Sequence, residues 1–238
     1  FKEKKDLSAL IMLSPVDDPS RFGIAVLENN RIVKTVEKPK EPESNLAIIG
    51  LYLFRKDIFD GIANIKPSWR GEYEITDAID WLIRNRGTVE GHIIYGWWKD
   101  TGKPEDLLEA NHKILDDVVE DFRIDGMIEA SSSLNGRVSV GEGTEVVNSV
   151  VRGPVIIGKN CTISNAYVGP YTSIGDGVLI ENCEIENSIV MDEVRISSLS
   201  SRIDSSLIGK KVEILENDGK PKGVQIIAGD LSKVVVSK

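Results

Sequence analysis

Between Leu7 and Val16 the chain is apolar at most positions and stops at Pro15, the pattern of a buried strand. Two strand-like runs, Phe22–Leu27 and Arg31–Glu37, flank Glu28-Asn29-Asn30 and predict a hairpin. Leu46–Phe54 reads as a second buried strand, interrupted at Gly50, where a ligand or another backbone can approach closely. Helical spacing follows. One short helix is predicted over Asp57–Ile65, before Pro67, and a longer one over Glu74–Arg86. The longer one sets Ile75, Ala78, Ile79 and Leu82 on one face, with Gly87 as its stop. Val89–Gly96 reads as a strand, and Pro104 opens a helix over Glu105–Leu115. Strands alternating with helices predict an α/β layer with a largely parallel sheet. Ligands in such sheets gather off the carboxyl ends of the strands. Glu37-Lys38 and Trp98-Lys99-Asp100-Thr101-Gly102 both follow strands at such an end.

From about Met127 the texture changes to short valine and isoleucine patterns with Gly, Asn and Ser, and the chain repeats on itself every 17 residues. Val140-Gly141, Ile157-Gly158, Ile174-Gly175, Met191-Asp192 and Ile208-Gly209 fall in register. So do Val146, Ile163 and Ile180, and likewise Val151, Val168 and Ile185. One aliphatic per six-residue unit, three units to a period, predicts a parallel β-helix over about 127–215 whose coils bury one another. A register slip is expected near Val194–Ile196. The tail from Val212 onward reads as strand, turn, strand, strand, and is expected to cap the open end.

Composition narrows the function. A formal net charge of −9 argues against holding nucleic acid by its backbone, and no nucleic-acid partner is expected. No apolar run approaches the ~18 residues of a membrane span. Cys161 and Cys183 lack metal or redox spacing and fit a reducing cytoplasm. The chain opens on Phe1-Lys2-Glu3-Lys4-Lys5, without Met, and enters a strand pattern almost at once. That is the texture of a domain's middle, and a fragment is expected.

Taken singly, the candidate residues have plain structural readings. Glu37-Lys38 alone is a surface ion pair of little worth, and Asp100 or Thr101 alone is a cap for the next helix. Together they fit one chemistry. A carboxylate accepts sugar hydroxyls, a lysine meets a phosphate as a point charge, and an Asp holds Mg²⁺ whose shell is completed by substrate phosphates. The combination points to a sugar phosphate.

The stretches VEKPKEPESNLAIIGLYLF, KPSWRGEYEITDAI and WWKDTGKPEDLLEAN resemble the sugar-binding half of the sugar-1-phosphate nucleotidylyltransferases. With NAYVGPYTSIGDG and GVQIIAGDLSKV, the chain is similar to the long, glucose-1-phosphate thymidylyltransferase branch, which carries a C-terminal left-handed β-helix. The resemblance implies an incomplete Rossmann-like nucleotidyltransferase half over 1–116, a linker over 117–126 and a left-handed β-helix with a strand tail over 127–238. It implies that Glu37 binds glucose hydroxyls and Lys38 the sugar phosphate. Gly23 and Ile48 would contact the sugar through backbone, Tyr52 would line the pocket, and Asp100 would be one of two aspartates holding Mg²⁺. Arg70, Glu72 and Glu74 would support the site, or simply bridge a helix start. The implied reaction joins glucose 1-phosphate to a nucleoside triphosphate, dTTP, giving dTDP-glucose and pyrophosphate, in a homo-oligomer. The family's Gly-rich phosphate loop, nucleobase pocket and second aspartate have no counterpart in this sequence, and the chain alone is expected to be inactive.

Two rivals remain. An acetyltransferase built on a β-helix needs a histidine base near the coils, and His92 and His112 lie outside the repeat. A non-catalytic assembly or regulatory protein could share the fold, although a vestigial site has no reason to keep Glu37, Lys38 and Asp100 together. Cys161 and Cys183 read as small packing residues, and the four tryptophans as core or pocket wall.

Overall fold

The computed structural model describes residues 1–85, 87–118 and 122–216. By contact the chain divides into two units, Phe1–Asp100 and Thr101–Lys238. The first contains β1 (Leu7–Pro15), β2 (Gly23–Glu28), β3 (Arg31–Glu37), β4 (Leu46–Phe54), α1 (Ile58–Asn64), α2 (Ile75–Arg84) and β5 (Thr88–Ile93).

The hairpin forms as predicted. Glu28 pairs with Arg31, and the two residues between them, Asn29 and Asn30, both have positive φ. That is the type I′ turn whose twist suits a two-residue hairpin. The strands order β1–β4–β2–β3–β5, and the ring closes on itself. The expected parallel sheet is not what forms: only β1–β5 is parallel, and β1–β4, β2–β3, β2–β4 and β3–β5 run antiparallel. A two-residue turn can only reverse the chain, which makes β2–β3 antiparallel, whereas parallel neighbours such as β1 and β5 need a long connection. Closure rests on a single β3–β5 pair, Arg31 with Glu90.

Leu7, Ala9, Ile11 and Leu13 of β1 are buried, with Ala25, Ile32, Ile48, Ala78, Ile79, Leu82 and Val89 around them. Helix α2 packs on β3 and β5 and ends where Asn85 N–H meets the carbonyls of Trp81 and Leu82. Gly87 N–H then reaches Leu82 O at 2.8 Å, and a Cβ there would lie 2.8 Å from the same oxygen. Only glycine allows that approach, so the predicted stop is real, although the helix itself runs Ile75–Arg84 and is shorter than the expected Glu74–Arg86. Of the four tryptophans, Trp81 packs on the core, while Trp69 and Trp97 are exposed and do not serve as core.

The second unit begins with α3 (Pro104–Lys113) and a π-helical turn, Ile114–Val118. Its body is the parallel β-helix. Three sheets of short parallel strands form its sides, with four, five and six strands among the described residues. The aliphatics stack inward. Val140, Ile157, Ile174 and Ile208 are buried, as are Val146, Ile163 and Ile180, and Val151, Val168 and Ile185. Cys161 and Cys183 are buried free thiols within the same core, pushed upward in pKa chiefly by burial, and act as packing residues. Small hydroxyls fill the remaining inward corners. The buried Thr144 hydroxyl donates to Gly158 O and accepts from Cys161 N–H, so its burial leaves no polar atom unpaired.

The repeat differs from the sequence alignment at one coil. Ile174 pairs with Val190, not Met191, and Val190 pairs with Ile208. Met191 is accordingly 45 % exposed. The period shortens to 16 in the corner between Ile185 and Val190. The lost residue is restored with extras between Ile196 and Ile203, which pairs with Ile185. The slip therefore opens a corner earlier than Val194–Ile196. A one-residue slip inside a strand would turn its aliphatics outward, so the irregularity is confined to corners.

Many of the corners turn through a left-handed residue. Asn148, Asn165 and Asn182 supply one such column (φ +43°, +48° and +51°), and Asn148 Nδ2 donates to Asn165 Oδ1 at 2.7 Å. Asparagine tolerates this conformation better than other non-glycine residues. Asn165→Ala is expected to cost about 1–2 kcal/mol, and Asn165→Gly less, measured as shifts in the urea midpoint. Equal midpoints for wild type and the alanine variant would contradict this account.

Helix α3 is tied to the coils by specific bonds. The Asn111 amide donates to Tyr171 O (2.9 Å) and accepts from Ser173 Oγ (2.6 Å). The His112 ring stacks on Tyr171, and its Nε2 meets Asn187 Oδ1. Asp116 accepts from Tyr171 OH and pairs with Arg137. In space α3 therefore groups with the coils, although by sequence it precedes the expected linker. The expected tail strands lie mostly at 217–238, outside the described residues.

Candidate functional site

Gly23 opens β2 and Glu37 ends β3, and the two are paired across the hairpin. The next pair, Ile24 with Ala47, brings β4 alongside, with the buried Ile48 one residue on. Three neighbouring strands thus deliver Gly23, Glu37 and Ile48 to one end of the sheet. Tyr52 is carried by the same β4, beyond an irregularity. Leu13 pairs with Ile48 but Ile11 with Tyr52, so β4 spends extra residues here. Gly50 (φ +75°) sits in this bulge, and a Cβ on it would meet nothing within 4 Å. No other backbone approaches it there, and its left-handed conformation is what the bulge uses.

Lys38 follows Glu37 with φ +43°, a left-handed conformation uncommon for lysine, held by its N–H to Phe22 O at 3.0 Å. Proline at 39 disfavours right-handed helical backbone in the residue before it. The strand is thereby turned sharply off the sheet straight after Glu37. On the other side of Phe22, its ring meets Trp98 edge to face, with centroids 5.5 Å apart. That contact brings the segment leading to Asp100 beside the residue that anchors Lys38. Asp100 itself is exposed and is the last residue of the first unit.

The Glu37 carboxylate sits in a small charged network. The Thr76 hydroxyl donates to its Oε2 at 3.3 Å, and Arg70 lies 3.6 Å from its Oε1. Arg70 also pairs with Glu72 (2.8 Å) and Glu74 (3.4 Å), while Ser68 Oγ donates to Glu74 Oε1. Arg70, Glu72 and Glu74 form the expected bridge before and at the start of α2, and Arg70 also lies within ion-pairing distance of Glu37. Burial, and then the Glu74 charge, push the Glu37 pKa above its ordinary value; Lys38, Thr76 and Arg70 pull it partly back. Tyr52 is raised too, by burial and then by the Glu37 charge.

A carboxylate with a raised folded-state pKa has a definite linkage sign. The folded state binds the proton more tightly than the unfolded chain. Its stabilising contribution is therefore fully present below the unfolded pKa and is lost as pH rises through the folded pKa. Glu37→Gln, which mimics the protonated form, is expected to match wild type near pH 4 and to melt higher near pH 7. Melting curves across that range check it, and a wild type that gains on the variant with rising pH would contradict it.

Among the described residues no group of three or more His, Cys, Asp or Glu is arranged to hold a metal. A single exposed Asp100 nevertheless fits Mg²⁺, which keeps several waters and takes few protein ligands beside substrate phosphates. Sequence reasoning missed Thr76 and Thr35, whose hydroxyl donates to Thr76 O at 2.7 Å. In the sequence Thr76 is one more polar residue at a helix start, and only its neighbours distinguish it. His112, set apart from the repeat by sequence, lies against the coils through α3, its ring engaged by Tyr171 and Asn187.

Residues 1–117 match the nucleotidyl transferase family model. A glucose-1-phosphate thymidylyltransferase of Streptomyces antibioticus is 42% identical over 237 residues, covering 99% of this chain and 66% of its own. One of Streptomyces griseus is 42% identical, covering 96% and 64%. A low-salt glycan biosynthesis nucleotidyltransferase, Agl11, of Haloferax volcanii is 42% identical, covering 98% and 65%. This chain thus spans just under two thirds of the length of these curated relatives. The family match over 1–117 and the near-complete alignment to three nucleotide-transferring relatives lead to one conclusion: the chain belongs to the nucleotidyl transferase family.

Proposed function

We propose that this polypeptide is the sugar-phosphate-binding portion of a glucose-1-phosphate thymidylyltransferase. An oxygen of the glucose 1-phosphate phosphate attacks the α-phosphorus of dTTP. A new P–O bond forms, the bond to the β-phosphate bridging oxygen breaks, and pyrophosphate leaves with its electron pair. Such transfers depend on positioning and charge stabilisation, and no covalent enzyme intermediate is needed.

The observation that carries this reading is the pairing of a half-buried Glu37 with Lys38, on a backbone turned sharply at Pro39. Glu37 accepts glucose hydroxyls. Lys38 meets the sugar phosphate and offsets the repulsion between two anions brought together. Gly23 and Ile48 offer backbone to the ring, and Tyr52 walls the pocket. Asp100 contributes a carboxylate to Mg²⁺, which when bound would neutralise charge on the phosphates. Self-association of the chain and a cytoplasmic location complete the proposal, the latter consistent with two free, buried thiols.

Calorimetric titration of glucose 1-phosphate into this chain tests the reading. Wild type is expected to bind weakly, and Glu37→Gln at least tenfold more weakly, because a charged acceptor is exchanged for a neutral one. Equal affinities would remove Glu37 from the site.

A further inference from the structure

We propose that Thr76 is a positioning residue: from the first turn of α2 its hydroxyl fixes the plane of the Glu37 carboxylate for an incoming sugar. This rests on reading Glu37 as the sugar ligand. Thr76 is 1 % exposed, and its carbonyl accepts the buried Thr35 hydroxyl. Thr35 lies on β3 two residues before Glu37, on the same face of the strand. The strand that carries the carboxylate therefore also pins the residue that orients it.

A buried helical threonine often returns its hydroxyl to a carbonyl one turn back. This one instead donates to Oε2 of Glu37, on a different element. Gly23 completes the arrangement from β2. A Cβ at that position would fall 2.7 Å from Thr76 Cγ2 and 2.9 Å from Glu37 Oε2. Only a hydrogen at residue 23 leaves methyl, hydroxyl and carboxylate in contact. With Oε2 engaged by Thr76, and Oε1 facing Arg70 at 3.6 Å, beyond hydrogen-bonding distance, the carboxylate keeps acceptor sites for sugar hydroxyls. Free rotation of the group would cost affinity, because the lost freedom would then be lost on binding.

The charged and titratable groups facing Glu37 are Glu74, Arg70, Lys38 and Tyr52; Thr76 is the neutral donor among them. Its bond favours the ionised form. The test uses the 238-residue chain, with Glu37 followed by carbon-detected NMR of labelled glutamate and glucose 1-phosphate binding followed by calorimetry. Thr76→Val, which keeps the shape and removes the donor, is expected to move the Glu37 titration to higher pH and weaken binding about tenfold. Thr76→Ser restores the donor and is expected to restore both. Gly23→Ala offers an independent route, since its methyl displaces the carboxylate, and the same loss of affinity is expected. An unmoved Glu37 titration in Thr76→Val overturns the proposal, as does a serine variant that behaves like valine. A wild type that binds no glucose 1-phosphate would instead refute the sugar reading, while the titration still decides whether Thr76 holds the carboxylate.

Discussion

No pyrophosphate is expected when the 238-residue chain is incubated with glucose 1-phosphate, dTTP and Mg²⁺. A triphosphate is ordinarily cradled by backbone N–H groups of a Gly-rich turn at a helix N-terminus, with a basic side chain nearby. The strand-to-helix connection Arg55-Lys56-Asp57 has basic residues but no glycine. The approach to α3 has isolated glycines at 96 and 102 and a proline as its first helical residue. Neither is such a turn. Charge alone would not substitute, because the chain is net negative and a triphosphate is a concentrated anion. The glucose 1-phosphate end can be held while the nucleotide end is not, so binding without turnover is the expected pattern. Steady pyrophosphate release by chain of verified mass would overturn it, and with it the assignment of roles between the portions of the protein.

Lys38→Ala carries the second large effect. In a longer form of the protein that does turn over, kcat/KM for glucose 1-phosphate is expected to fall by roughly 2–4 kcal/mol equivalent, as the proposed charge-assisted contact to the sugar phosphate is lost. KM should rise as well. Alanine keeps the Cβ of lysine, so at φ +43° it carries the same backbone strain and its loss reads the charge. Lys38→Gly, which relieves that strain, is expected to lose about as much activity as alanine. Recovery of activity in the glycine variant would show that charge was not the cause. Asp100→Ala is expected to act differently, weakening the dependence on Mg²⁺ more than the affinity for sugar. Unchanged kinetics in both Lys38→Ala and Asp100→Ala would refute the site.

Much of the molecule was legible in the chain because its rules are local or periodic. The Asn29-Asn30 turn could be read directly, since few residues accept positive φ at two successive positions. The coils could be read because each aliphatic meets its equivalent one period away, so sequence spacing and spatial neighbourhood coincide. That coincidence fails at corners, where a residue can be lost or gained without turning an aliphatic outward. Periodicity accordingly misplaced Met191, and strand pairing moved the position to Val190.

Glu37 and Lys38 stand together in sequence, so an anion and a cation beside a proline could be recognised as a pair. Sequence by itself determined the β-helix, the hairpin and this pair. Tertiary structure decided the sheet's closure and mainly antiparallel pairing, the grouping of α3 with the coils, and the surroundings of Glu37. Gly23, Arg70 and Thr76 meet that carboxylate from β2, the loop before α2 and α2 itself, and Thr35 holds Thr76 from β3. Their separations along the chain follow no period, because side chains from different elements meet only where packing brings those elements together. No spacing rule could have announced that one threonine hydroxyl and one missing Cβ meet at the same oxygen.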